Sequence, residues 1–249
     1  MPSLFDDDLD LDTFGANTGI KFSGVRPENI TSFATTLVGI AVDCTGSMGG
    51  FTGALDTSVS TIVDLCQKCP ESENLMLRVT AFEQNNIKEV HGFVPFSAIN
   101  KDGYQGAFYA GGMTNLYDAS HDILNSIYEY SKKLREEDYK SNGIVFVITD
   151  GEDNRSRTSV TEIATLLADI RRSEMIDSIQ FVLIGINDTQ CKASLDKFAK
   201  DATFDHYISV GDADVKKLQS LVGWVSQAIS STSQVLNSRQ PSQLVGLTF

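Results

Sequence analysis

Hydrophobic residues in this chain fall into two alternating patterns, continuous short runs and helical stripes. The short runs are rich in β-branched residues, which is typical of strands buried on both faces of a sheet. Each is bounded by polar or glycine-containing segments that favour loops. The predicted strands are Leu37–Val42, Asn74–Phe82, Val90–Phe96, Ile144–Ile148, Ile179–Ile186 and His206–Val210.

Between these runs, apolar residues recur every three or four positions, the spacing of one face of an α-helix. One stripe passes from Leu116 through Ile123 to Leu134. Another follows Ser159 and Glu162, whose spacing predicts a capping box at the start of a helix. The remaining stripes predict helices over Leu55–Cys66, Lys192–Lys200 and Val215–Ile229.

The alternation of strands and helices predicts an α/β fold. We expect a doubly wound, mostly parallel, Rossmann-like sheet with helices on both faces. The short gap between Asn74–Phe82 and Val90–Phe96 favours an antiparallel pair, so one antiparallel edge strand is expected. Sheets of this kind bind ligands beyond the carboxyl ends of their strands, where the strand order reverses.

Both ends of the chain lack this periodicity. Residues 1–29 combine acidic residues with glycines and predict a largely irregular, acidic N-terminal arm. Residues 231–249 are rich in Ser and Gln and predict a loose C-terminal tail. The residues between them, 30–230, form one predicted domain, and a length of 249 residues suits one large α/β domain.

The charge of the chain limits what the domain can bind. Acidic residues outnumber basic ones by 33 to 20, and the formal net charge is −13. Such a surface repels phosphate groups, so nucleic acid and anionic membranes are poor partners. Cations and basic protein surfaces are favoured instead.

The sequence also predicts where the chain resides. No apolar run reaches the ~20 residues of a membrane span, so no membrane insertion is expected. The first residues lack the basic start and apolar stretch of a secretion signal, and four scattered cysteines do not form a disulfide framework. A cytoplasmic location is therefore expected.

Small side chains that carry oxygen stand at the ends of predicted strands and at the start of a predicted helix. Asp43, Thr45 and Ser47 follow the first predicted strand, and Asp150 follows the fourth. Thr114 comes after two glycines, just before a predicted helix. Because the carboxyl ends of parallel strands lie at the same edge of a sheet, we expect these five side chains to converge.

Two carboxylates and three hydroxyls make a ligand set composed of oxygen alone. Hard divalent cations prefer such oxygens, so Mg²⁺ is the expected cofactor, with Mn²⁺ or Ca²⁺ as alternatives. Mg²⁺ takes about six oxygens and keeps several waters. The site is therefore suited to completion by water or by an oxygen from another molecule.

Three motifs resemble the metal-ion-dependent adhesion site of von Willebrand factor A domains, namely D-x-T-G-S-M at 43–48, G-G-x-T-N-L at 111–116 and I-T-D-G at 148–151. The resemblance covers about residues 35–229, in element order as well as in motif. It implies that Thr45 and Ser47 bind the metal directly and that Thr114 binds directly or through water. It also implies that Asp43 and Asp150 act through waters.

The sequence departs from the family pattern at Thr45, where serine is commoner, although the threonine hydroxyl can still coordinate a metal. Within the family, the chain resembles the intracellular, stand-alone members of the tellurium-resistance type from bacteria and phages.

The resemblance implies an interaction module and not an enzyme. The expected partner is another protein that supplies an Asp or Glu to the open position on the metal. Two alternatives remain open. A hydrolase would use Ser47, Asp150 and His206, which follow the chain order of an α/β-hydrolase triad, but Thr45 stands where the nucleophile motif needs glycine. A purely structural assembly subunit would use none of them.

The acidic arm suggests a separate hypothesis. Its segment Phe5–Phe14 interleaves acids with leucines, so it is a candidate ligand for the metal site of its own or a neighbouring molecule. A solvated acidic tail is the alternative.

Overall fold

The structure of the protein is a computed structural model. It describes residues 3–5, 9–15, 19–83, 86–212 and 214–238. The strands are β1 (Leu11–Phe14), β2 (Phe22–Val25), β3 (Ala34–Asp43), β4 (Leu75–Glu83), β5 (Asn86–Pro95), β6 (Lys140–Thr149), β7 (Ile179–Gly185) and β8 (His206–Ser209). The helices are α1 (Thr52–Gln67), α2 (Leu116–Glu136), α3 (Val160–Arg172), α4 (Lys192–Asp201) and α5 (Val215–Ser238).

The strands form one sheet in the order β1-β2-β5-β4-β3-β6-β7-β8. Strands β4, β3, β6, β7 and β8 are parallel to one another, and β5 is antiparallel to β4. The chain leaves β3 towards β4 on one side and later returns to β6 on the other. The predicted α/β fold with a mostly parallel, Rossmann-like sheet is therefore confirmed, and its strand order reverses at β3.

Helices cover both faces of the sheet. On one face α1 packs with α5, and the Trp224 ring of α5 meets the Phe146 ring of β6 edge to face. On the other face α2 packs on β3 and β6, α3 packs on α2, and α4 packs on α3. Gly39 of β3 permits the close approach of α2, because a Cβ there would lie 2.8 Å from Ile123 Cγ1. The capping box of Ser159 and Glu162 at the start of α3 is confirmed.

The prediction of an irregular arm is wrong for two segments within residues 1–29. β2 pairs with β5 and β1 pairs with β2, so the sheet continues past β5, which is not its edge. The Phe22 ring packs edge to face on Phe93 of β5, and the Phe14 ring packs on Tyr130 of α2. Residues 6–8 and 16–18 of the predicted arm lie outside the described residues.

The C-terminal boundary also differs, because α5 continues to Ser238, past the expected end of the domain at residue 230. The rest of the predicted tail, residues 239–249, lies outside the described residues. None of the helices that the structure describes is apolar over a length that would cross a membrane.

A buried arginine network joins β2 to the rest of the sheet. The Arg78 side chain donates to Glu89 at 3.0 Å and to Asp122 at 2.9 Å. Glu89 also accepts hydrogen bonds from the main-chain N–H and the hydroxyl of Ser23 on β2. The charge of Arg78 is therefore paired, as a buried guanidinium requires, and one of its partners holds β2 in place.

We expect Phe22→Ala to lower the free energy of unfolding by about 3 kcal/mol, because it removes a large side chain that is 2% exposed. The matched control is Phe33→Ala, since Phe33 is 73% exposed and should cost less than about 1 kcal/mol. Urea denaturation of both variants provides the measurement. Equal, small losses would show that β2 does not belong to the core.

Candidate metal centre

Two acidic residues lie at the point where the strand order reverses. Asp43 is the last residue of β3, and Asp150 directly follows β6. The two strands are parallel neighbours with Val42 opposite Ile148, so both acids lie at the same carboxyl edge of the sheet. This edge is where open α/β sheets bind their ligands.

A continuous chain of polar contacts connects the hydroxyls of the first motif to Asp150. The Oγ1 atom of Thr45 lies 3.2 Å from the Oγ atom of Ser47. The Ser47 hydroxyl donates a hydrogen bond of 2.8 Å to Asp150 Oδ1. Thr45 is buried and Ser47 is exposed, so this series of polar contacts extends from the interior to the surface.

The Asp43 carboxylate lies fully buried beneath these contacts of Thr45, Ser47 and Asp150. Its Oδ1 atom accepts a hydrogen bond from the Thr45 main-chain N–H at 2.9 Å, and its Oδ2 atom accepts one from the Thr149 hydroxyl at 2.6 Å. Burial raises the pKa of Asp43 to about 6, although these hydrogen bonds oppose the shift. Burial also raises the pKa of Asp150. Both groups are thus costly to ionise, and a nearby cation would favour their charged forms.

A loop hydrogen-bonded to the first motif carries Thr114 to the same edge. The main-chain N–H of Gly111 donates to the Cys44 carbonyl at 2.8 Å, and that of Gly46 donates to the Gly112 carbonyl at 3.3 Å. Thr114 is 5% exposed. A Cβ built on Gly151 would lie 3.9 Å from Thr114 Oγ1, so the hydroxyl lies beside the main chain that follows Asp150.

The structure therefore brings all five predicted ligands to one edge of the sheet. Asp43, Thr45, Ser47 and Asp150 share one set of polar contacts, and Thr114 lies beside Gly151. The described residues contain no group of three or more His, Cys, Asp or Glu side chains placed to hold a metal. Hydroxyls supplement two carboxylates here, a donor set that suits a hydrated Mg²⁺-type ion better than Zn²⁺.

The alternative hydrolase triad is not assembled. Ser47 contacts Asp150, but His206 lies on β8, three strand spacings or roughly 14 Å from β3. His206 is also paired with Val182, three residues before the end of β7, and so lies away from the carboxyl edge. Across the part of the chain that the structure describes, no hydrogen bond joins His206 to Ser47 or Asp150.

The hypothesis that the N-terminal arm supplies a ligand to the metal site of its own molecule is wrong for Asp10 and Asp12, its described acids, whereas a contact with a neighbouring molecule stays a prediction. Asp10 and Asp12 lie near Arg26, at 3.8 and 3.5 Å from its guanidinium nitrogens. β1 is four strand spacings from β3, roughly 19 Å. The carboxylates at 6–8 lie outside the described residues.

Three residues that hydrogen-bond to the predicted ligands were not predicted from the sequence. Thr149 donates to Asp43, and its position directly before Asp150 was a signal that could have identified it. The thiol of Cys191 donates to the Asp150 carbonyl at 3.3 Å. Asn154 bonds to Thr114 at a separation of 40 residues, which no local pattern reveals.

Large apolar side chains are exposed on the loop that leads to Thr114. Tyr109 is 65% exposed and Met113 is 43% exposed. Ala110 of the same loop lies against Gly49, since a Cβ built on that glycine would be 3.6 Å from the alanine methyl. The edge of the sheet thus combines the polar side chains of the five predicted ligands with an adjoining apolar surface.

A family model described as von Willebrand factor type A domain matches residues 38–223 of the chain. The chain is also 26% identical over 197 residues to a protein of Bacillus subtilis (strain 168) called "Uncharacterized protein YwmD". That alignment covers 73% of this chain and 81% of the relative.

Two solved proteins share the fold. The pilus adhesin SpaC from Lactobacillus rhamnosus GG matches with a TM-score of 0.57 and 11% identity, over 80% of this chain and 31% of the adhesin. Proximal thread matrix protein 1 from the mussel byssus matches with a TM-score of 0.51 and 17% identity, over 81% of this chain and 47% of that protein. The chain thus spans less than half of either protein, and at these identities the likeness shows the fold alone.

The raised pKa of Asp43 makes the free energy of unfolding depend on pH when no divalent cation is added. Between the ordinary value of 3.8 and about 6, the folded state keeps a proton that the unfolded state has released. The free energy of unfolding should therefore fall as pH rises through this range and level off above it.

We expect Asp43→Asn to remove the part of this decline that Asp43 causes and to stabilise the protein in EDTA at neutral pH by on the order of 3 kcal/mol. Urea denaturation from about pH 4 to about pH 8 measures the effect, with the exposed acid variant Glu28→Gln as control. An Asp43→Asn profile that parallels the wild type would contradict the assignment.

Proposed function

The chain belongs to the von Willebrand factor type A domain family, and on that premise we propose that it is a protein-interaction module dependent on a metal. The module holds one divalent cation of the Mg²⁺ type, or Mn²⁺ or Ca²⁺, at the candidate metal centre. The cation binds a carboxylate that a partner protein supplies.

The observation that carries the proposal is the contact chain from Thr45 through Ser47 to Asp150, above the buried Asp43. In the bound state, the hydroxyls of Thr45, Ser47 and Thr114 supply hard oxygens. Asp43 and Asp150 balance the charge of the ion and accept hydrogen bonds from its waters. The metal would supply a positive charge at an exposed edge of a protein whose formal net charge is −13.

The partner's carboxylate follows from what the protein leaves open. Asp43 and Asp150 would act through waters, so no anionic oxygen of this protein would contact the ion directly. A hard anionic oxygen from another molecule is therefore favoured at the open position. Ser47 is exposed, so the centre faces solvent. The exposed Tyr109 and Met113 give a partner protein apolar surface to bury beside the ion.

Binding without turnover is part of the proposal. Ser47 donates its hydrogen bond to a carboxylate, and no described histidine is hydrogen-bonded to it as a general base. An intracellular location, as in stand-alone members of the tellurium-resistance type, is also proposed. The four cysteines are free, which suits a reducing compartment.

We expect Ser47→Ala and Asp150→Asn to weaken Mg²⁺ and Mn²⁺ binding at least about tenfold, because each removes an oxygen donor or a balancing charge. Isothermal calorimetry of the full chain provides the measurement. Glu152→Gln is the matched control, since this exposed acid lies two residues from Asp150 and is not one of the five predicted ligands. Wild-type protein that binds neither ion, or variants that bind like wild type, would refute the centre.

We expect a partner to bind in Mg²⁺ and to dissociate in EDTA, and its binding to depend on one Asp or Glu of its own. Met113→Ser should weaken this binding, whereas Met175→Ser should not, because this exposed methionine lies before the start of β7 and away from the carboxyl edge of the sheet. Affinity measurements with the partner's acids replaced one at a time identify the ligand. A partner that binds equally in EDTA argues against the proposal.

A further inference from the structure

The start of α2 is capped by the loop that follows Asp150 and not by the side chain of its own N-cap residue. The first N–H groups of a helix have no partner within the helix. Asn115, the N-cap of α2, makes no side-chain cap. Instead, the Tyr117 N–H donates to Asp153 at 3.2 Å and the Asp118 N–H donates to the Ser156 hydroxyl at 2.9 Å.

The same loop is held in return by α2. The Asp118 carboxylate accepts hydrogen bonds from the main-chain N–H groups of Arg157 and Thr158, at 3.1 and 2.8 Å. Residues 153–158 belong to the loop that follows Asp150, and α2 follows Thr114. The loop that follows Asp150 and the helix that follows Thr114 are thus joined by hydrogen bonds in both directions.

Asn154, in the same loop, contacts Thr114 directly, which is one of the five predicted ligands. Its side-chain Oδ1 atom accepts a hydrogen bond from the Thr114 N–H at 3.0 Å. Its own main-chain N–H donates to the Thr114 carbonyl at 3.0 Å. Both polar main-chain groups of Thr114 are therefore bonded to one residue, which lies four positions after Asp150.

We propose that Asn154 is a positioning residue of the metal centre. It fixes the main chain of Thr114 and thereby the place of the Thr114 hydroxyl relative to Asp150. The inference rests on the proposed function, because it concerns the same centre. A ligand held in place by a neighbouring hydrogen bond loses metal affinity when that bond is removed.

The location of Asn154 separates this role from a general structural one. Its side chain is exposed, so truncation opens no cavity in the core. Its main-chain bond to Thr114 does not depend on the side chain. Replacement of the side chain therefore removes one hydrogen bond at Thr114 and leaves the rest of the loop contacts in place.

The test compares Mg²⁺ and Mn²⁺ affinities of three variants of the full chain by calorimetry. Asn154→Ala should weaken binding about tenfold, whereas Asn154→Asp keeps the acceptor and should restore binding towards wild type. Asn100→Ala is the matched control, because exposed Asn100 likewise accepts a main-chain N–H bond, from Asp102, away from the centre. It should bind like wild type.

A double-mutant cycle shows whether Asn154 acts through Thr114. If it does, Asn154→Ala should cause little further loss once Thr114→Ala has removed the hydroxyl. Hydrogen exchange in EDTA gives a readout without metal, since the Thr114 amide should exchange faster in Asn154→Ala. The melting temperatures of Asn154→Ala and Asn100→Ala in EDTA should agree.

The outcomes are distinguishable. If the wild-type protein binds the ions and Asn154→Ala binds them with the same affinity, this inference alone is overturned. It is also overturned if the affinity losses of Asn154→Ala and Thr114→Ala multiply in the double mutant. A melting temperature in EDTA well below that of Asn100→Ala assigns Asn154 a general structural role and also overturns it. Wild-type protein that binds neither ion overturns the proposed function, and the positioning role with it.

Discussion

The Thr149 hydroxyl donates a short hydrogen bond to the buried Asp43 carboxylate, and this bond joins the ends of the two central strands. Asp43 ends β3, and Thr149 ends β6. The bond holds the acid in a place where water cannot solvate it, and burial consequently raises its pKa. The protein thus keeps a group whose ionisation at neutral pH costs stability, and this carboxylate accepts the hydrogen bond of the Thr45 main-chain N–H.

The sheet explains how residues far apart in sequence reach this carboxylate. The strand order reverses at β3, so the ends of β3 and β6 lie side by side with no strand between them. Gly39 lets α2 lie close to β3, and the start of α2 brings Thr114 to the same edge. The position of the candidate site therefore depends on the topology of the sheet as much as on the sequence motifs.

The sequence predicted the parts of this arrangement that leave a local trace. β3, β6 and β7 are continuous apolar runs, and the ligands follow strand ends or precede a helix, so their convergence could be expected. β1 and β2 are too short to show a period, and the contacts that bury Phe22 come from β5 and α2. The bond between Asn154 and Thr114 joins two loops through the folded backbone, which no sequence spacing encodes. The binding of a metal and the identity of that metal both stay predictions.

The N-terminal strands also affect how copies of this protein meet one another. β5 is ten residues long, and without β2 beside it its main-chain groups would be open for pairing with another chain. Gly92 lets β2 approach, since a Cβ there would lie 1.9 Å from the Ser23 carbonyl oxygen. The strand at that edge is instead β1, four residues long with an exposed Asp12. A short, charged edge is a poor template for fibril growth, so we expect these strands to oppose the pairing of one copy with another at this side of the sheet.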